Sequence, residues 1–129
     1  MIEEGRALFL QIAEQIEDAI LDGSLSEETQ APSTNELATF YRINPATAAK
    51  GIALLTDKGV LYKRRGVGMF VAKGAREVLL GERRAAFARD FLTPLLAEAA
   101  KIGLGQDDLI ALLRTHEAAD STTTEGNTP

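Results

Sequence analysis

Apolar residues recur at helical spacing in five stretches of this 129-residue chain, and two short apolar runs between them read as strands. Leu8, Ile12, Ile16, Ala19 and Ile20 form the first stripe, which predicts an amphipathic helix from about Ala7 to Leu21. Asp22-Gly23 should stop it, with Gly23 as the left-handed terminator. Its other face carries Glu14, Glu17 and Asp18 and is expected to be solvated. Ser24 to Gln30 reads as a polar loop, with a short strand at Gln30-Ala31. Leu37, Ala38 and Tyr41 mark the inward side of a second helix, and Ala48, Ile52 and Leu55 that of a third. Val60-Leu61-Tyr62 and Met69-Phe70-Val71 then predict a hairpin around Lys63-Arg64-Arg65-Gly66-Val67-Gly68.

Two capping signals sharpen the middle of the chain. Ser33 followed by Glu36 fits a capping box, in which side chain and backbone satisfy each other's unpaired groups. Asn44 is the N-cap of the next helix, and Pro45 sits at its first position, where a missing N–H costs nothing. Only Arg42-Ile43 remains between the two helices, so they must cross through a tight turn, as in a helix-turn-helix. Gly51 inside the third helix implies close approach of a neighbouring helix, and Lys58-Gly59 supplies its C-terminal cation and cap.

After Gly74-Ala75, a plausible hinge, a long helical pattern runs from about Arg76 to Lys101. Leu80, Phe87, Phe91 and Leu95 lie on one stripe, with Ala88, Leu92, Leu96 and Ala99 beside it. Pro94 should kink this helix against the carbonyl of Asp90. Gly103 ends it, and a last helix beginning at Gly105 carries Asp107 and Asp108 in its first turn and Leu109, Leu112 and Leu113 as apolar positions. Residues 119–129 lack apolar side chains beyond one alanine and are expected to be disordered. Two helices this apolar cannot bury both faces on each other. Leu80, Phe87, Phe91, Leu92, Leu95, Leu96, Leu109, Leu112 and Leu113 are therefore expected to form a two-fold interface with a second copy, the alternative being folding back on their own first domain.

Charge changes the picture. The chain is acidic, at −5, which by itself argues against a polyanionic partner. Between Arg42 and Lys73, however, seven basic residues meet one acid, a net +6, whereas residues 1–41 set nine acids against Arg6, a net −8. A basic face on an acidic body is what a nucleic acid meets. No run of about 18 apolar residues exists, so no membrane partner is expected. The acidic start MIEEGRALFL is no secretory signal, and the expected location is cytoplasmic. Zero cysteines and a single histidine, His116, give no basis for thiol chemistry, a metal or another cofactor, and no nucleophile–base pair marks an enzyme.

The runs LFLQIAEQIEDAILDGSL, APSTNELA and INPATAAKGIALLTDKGVLYKRRGVGMFVA together resemble the N-terminal domain of GntR-type bacterial transcriptional regulators, and the short two-helix tail resembles their YtrA subfamily. The resemblance implies a mostly α fold with a small β-hairpin. A winged helix-turn-helix domain would span residues 6–74, a helical dimerisation region 75–118 and a disordered tail 119–129. It also implies a homodimer on a palindromic duplex operator, as a regulator expected to repress, with an effector whose identity the sequence does not give. Carried over residue by residue, it implicates Ser33, Asn35, Asn44, Pro45, Ala46, Thr47, Lys50, Arg64, Arg65, Gly66 and Gly68 in DNA binding. Asn35 departs from the family, which usually has an arginine there, so one charged anchor is missing. Ala48, Gly51 and Ile52 replace larger residues and thin the packing.

The physical roles of these residues follow from their chemistry. Ser33 and Thr34 at one helix start, and Asn44 at the next, can bring unpaired N–H groups to phosphate, or can serve only as caps. Thr47 and Lys50, three apart, reach one patch of groove with Ala46 beside them. Lys50 read alone could equally be a solvated lysine. Asn35 could pair with an adenine edge or face solvent. Arg64 and Arg65 suit a narrow minor groove, and Gly66 and Gly68 allow close approach, although a basic tip can also merely protect a strand edge. The competing function is an interaction module that has lost specific DNA binding.

Overall fold

The computed structural model describes residues 6–126, as six α-helices, a π-helical turn and a two-stranded hairpin. The chain divides into two compact units, Met1–Arg84 and Ala85–Pro129.

In the first unit α1 (Leu8–Leu21) lays Ile12, Ile16 and Ile20 into the core. The predicted stripe is present, with one difference at its start, where Leu8 is exposed and Ala13 is buried instead. Helix α2 (Thr34–Tyr41) begins on the expected capping box: Ser33 Oγ accepts from the Glu36 amide at 3.0 Å and Glu36 Oε1 from the Ser33 amide at 2.9 Å. Ser33→Ala is expected to lower the stability of this unit by about 1 kcal/mol. The check is thermal unfolding, where an unchanged midpoint would remove the box from the account. Helix α3 (Pro45–Asp57) starts on Asn44, whose Oδ1 accepts from the Ala46 amide at 2.8 Å, and buries Ala48, Ile52 and Leu55. Gly51 faces α1 so closely that a Cβ there would stand 2.9 Å from the Phe9 carbonyl oxygen, which explains a glycine inside a helix.

Strands β1 (Leu61–Arg64) and β2 (Gly68–Val71) pair antiparallel, with Leu61 opposite Val71 and Arg64 opposite Gly68. The segment before α2 adds a short third ribbon: Gln30 bridges Phe70, the Glu28 amide donates to Val71 O at 2.7 Å and the Ala31 amide to Met69 O at 2.8 Å. Leu55, Val60, Leu61 and Val71 close the core beneath it.

Two features depart from the sequence reading. The first unit continues past residue 74 because α4 (Ala75–Phe87) buries Ala75 and Leu79 in the same core. Glu27 caps this helix from the distant loop, accepting from the Gly74 amide at 2.9 Å and the Arg76 amide at 3.2 Å. Those two amide hydrogen bonds, the Gly74 one first, hold the Glu27 carboxyl below its ordinary range. Their contribution is therefore present at neutral pH and is lost as pH falls through that lowered value. Glu17, expected on a solvated face, is buried. Its carboxylate meets Lys58 Nζ at 2.5 Å and Arg83 Nη2 at 3.3 Å, while Lys58 also reaches Glu82 at 2.8 Å. Burial alone would lower the Lys58 pKa, but hydrogen bonds and charge from Glu17 and Glu82 outweigh it and raise it.

In the second unit the expected single kinked helix is instead interrupted by a π-turn over Ala88–Leu92, after which α5 (Thr93–Lys101) resumes. The Thr93 amide bonds back to Ala88 O, five residues earlier, so the ladder widens just where Pro94 offers no N–H of its own. Gly103, at φ 75°, terminates α5 as predicted. Helix α6 (Gln106–Gly126) is capped by Asp108, which accepts from the Gly105 amide at 2.8 Å. It runs beyond residue 118, where composition predicted disorder. Extending an established helix adds one hydrogen bond per residue fixed, a cheaper step than starting one. Residues 127–129 of that expected tail lie outside the described residues. No described helix is long and apolar enough to cross a membrane.

Candidate nucleic-acid interface

Helices α2 and α3 are joined by Arg42-Ile43, with Arg42 in the left-handed conformation at φ 55° and its amide bonded to Ala38 O. This turn sets α3 across α2 and leaves one face of α3 open. Ala46, Ala49, Lys50 and Ala53 are exposed on it and Thr47 is half-buried, opposite the core positions Ala48, Ile52 and Leu55. Lys50 Nζ rests 4.1 Å from the centre of the Phe9 ring, a cation–π contact that steers the side chain. Sequence reasoning missed Phe9 as a partner, since nothing local links α1 to position 50.

Pro45 occupies the first turn of α3, and the Thr47 amide bonds to Asn44 O. Ser33 and Asn44 are both engaged as caps. Thr34 opens α2 half-buried, and Asn35 beside it is exposed. At the start of α2 Ser33 engages the Glu36 and Leu37 amides, and the Thr34 and Asn35 N–H groups ahead of them are of the kind that bind phosphate, whereas at the start of α3 Pro45 has no N–H and the Ala46, Thr47 and Ala48 amides all bond to Asn44.

The hairpin holds the remaining candidates, and here the structure separates residues that the sequence grouped. Arg65 is exposed, and Gly66, at φ 76°, turns the tip as only glycine does without strain. Arg64 instead folds back along the hairpin. Its Nη2 lies 2.7 Å from the Tyr62 hydroxyl and 3.1 Å from Glu28 Oε2, and its guanidinium sits 3.9 Å from the centre of the Phe70 ring. The Tyr62 hydrogen bond foremost, followed by Glu28, raises the Arg64 pKa. Gly68, at φ 137°, holds a conformation that favours glycine, and a Cβ there would also meet Gln30 Nε2 at 2.6 Å, whose amide donates to Val67 O at 3.0 Å.

A helix-turn-helix with an open second helix, followed by a basic hairpin, defines a winged helix-turn-helix protein that binds DNA. The family described as "Bacterial regulatory proteins, gntR family" matches residues 8–71, the whole span from α1 to β2. Among curated relatives, the transcriptional repressor YtrA of Bacillus subtilis is 28% identical over 102 residues, covering 79% of this chain and 78% of YtrA. A GntR-family transcriptional regulator from Bacteroides thetaiotaomicron superposes with a TM-score of 0.75 at 28% identity, covering 88% of this chain and 99% of that one. The N-terminal domain of AraR, solved in complex with mutant ORR3, is 31% identical with a TM-score of 0.51, over 54% of this chain and 100% of that one. The chain belongs to the GntR family of transcriptional regulators and has the short architecture of YtrA; it is a DNA-binding regulator and not an enzyme.

Proposed function

We propose that this regulator reads a specific palindromic operator as a homodimer and acts as a repressor. The observation that carries the reading is the division of α3: one face is locked into the core, and the other presents Ala46, Thr47 and Lys50 on a helix whose start is stripped of acidic residues. In this reading Lys50 addresses a guanine edge, and the Thr47 and Ala46 methyls address thymine. The Thr34 amide and hydroxyl, with Ser33, Asn44 and Pro45 placed beside them, set the register on phosphate, Asn35 reaches an adenine edge, and Arg65 with Gly66 enters the minor groove. Repression is supported by the likeness to YtrA, which is described as a repressor.

The homodimer is supported by the second unit taken alone. Phe87, Phe91, Leu92, Leu95, Leu96, Leu112 and Leu113 are exposed, Phe91 to 65%, and Leu109 is partly so. The Phe87 and Phe91 rings lie 5.7 Å apart, and Leu95, Leu109, Leu112 and Leu113 line one open groove between α5 and α6. In this reading Leu80, half-buried on α4, borders the interface. Apolar side chains of this size are seldom left to water on a monomer.

Selection from a pool of random duplexes tests the proposal. It is expected to enrich an inverted repeat whose half-sites are roughly 34–36 Å apart, one turn of duplex. Enrichment of a lone half-site would remove the dimer. No enrichment at all would leave a winged-helix interaction module as the better reading.

A further inference from the structure

We propose that Glu28 is a positioning residue that sets how much of the hairpin's positive charge reaches DNA, by holding Arg64 in an internal ion pair that a phosphate must displace. The inference rests on the reading of the hairpin as a DNA-binding wing. Among the described residues, Lys63 and Arg65 make no ion pair, whereas Arg64 between them is held three ways. Its guanidinium donates to Glu28 Oε2 and to the Tyr62 hydroxyl, the same hydroxyl donates to Glu28 Oε2 at 2.6 Å, and the Phe70 ring backs the group. Glu28 is delivered to this place by its backbone. Its amide bonds to Val71 O, and its φ of 65° lies in the left-handed region that suits glycine. Strain of this kind persists where the surroundings hold it in place, and it points to function when the side chain does something there. What the Glu28 side chain does is neutralise a wing arginine.

The pair is weak enough to exchange. Both side chains are nearly half exposed, at 45% for Arg64 and 48% for Glu28, and surface ion pairs of this sort are easily outcompeted. A phosphate that takes Arg64 leaves the Glu28 carboxylate, still bonded to the Tyr62 hydroxyl, without its cation beside the polyanion. Arg64 therefore contributes less to counterion release than an unpaired arginine would.

Titrations of the full chain against a random-sequence duplex over a salt series test this. Glu28→Gln is expected to steepen the dependence of log K on log salt by about one unit, so that its advantage over the parent grows about fourfold between roughly 200 and 50 mM salt. Glu28→Gly removes the carboxylate while suiting the backbone, and should do the same if Gln disturbs the loop. The gain should vanish when Arg64→Ala is added, which a merely structural effect of Glu28 would not produce. Arg65→Ala, measured alongside, should flatten the slope by about one unit if the hairpin is a wing at all. A flattened slope for Arg65→Ala with no steepening for either Glu28 variant would overturn the role of Glu28 alone. No change in any of them would overturn the wing as well.

Discussion

Gly51→Val is expected to lower the unfolding midpoint of the chain by roughly 10–20 °C, from an overpacking cost of about 2–3 kcal/mol in a unit of this size. The reason is the identity of the atom in the way. A Cβ at Gly51 would stand 2.9 Å from the Phe9 carbonyl and 3.4 Å from Ile12 Cβ and Cγ2, so relief requires moving the backbone of α1, not rotating a side chain. Gly51→Ala meets the same oxygen but gains about 1 kcal/mol of helix preference, so its loss should be much smaller. Ala53→Val, on the exposed face of the same helix, serves as the control and should stay within about 1 kcal/mol of the parent. A midpoint for Gly51→Val no lower than that of the control would mean that α1 and α3 are not packed as described. Because Lys50 on α3 leans on Phe9 of α1, the variant should also lose affinity for DNA at temperatures where it remains folded.

The second large effect concerns the arms. Phe87→Glu combined with Phe91→Glu places two charges on neighbouring exposed rings and should leave the protein monomeric in sedimentation. Linked binding of two half-sites multiplies affinity by about 10²–10⁴, so the full operator should lose a factor of that order while a single half-site is bound as before. Both residues are exposed, and both lie beyond Arg84, so the midpoint of the first unit should not move. A variant that still sediments as a dimer would place the interface elsewhere.

What could be read in advance was what chemistry writes locally. Ser33 and Glu36 are three residues apart, as are the positions a capping box joins, and Asn44-Pro45 announces α3 within two residues. The core stripe of α3 was legible for the same reason, and Gly51 was legible because a helix interior penalises glycine unless something is close. What escaped was every side chain whose partner is distant in sequence. Glu17 lies on the side of α1 that periodicity assigns to water, and only folding brings Lys58 and Arg83 to it. Arg64 and Arg65 are equivalent on paper, yet Glu28 distinguishes them by reaching back from the loop before α2. The neighbour of Gly68 also escaped, because Gln30 belongs to another segment. Pro94 announced an irregularity in the right place, but the local pattern does not say whether a helix answers a missing donor by bending or by widening one turn, and here it widens. The exposed face of the second unit was legible as apolar, since composition alone carries that.

The carboxylate of Glu27 ties together two parts of the first unit that lie far apart in sequence. The amides of Gly74 and Arg76 at the start of α4 are held by a residue 47 positions upstream of Gly74. Fixing this turn therefore depends on closing a long loop within the first unit, which carries an entropic cost that a local cap would not.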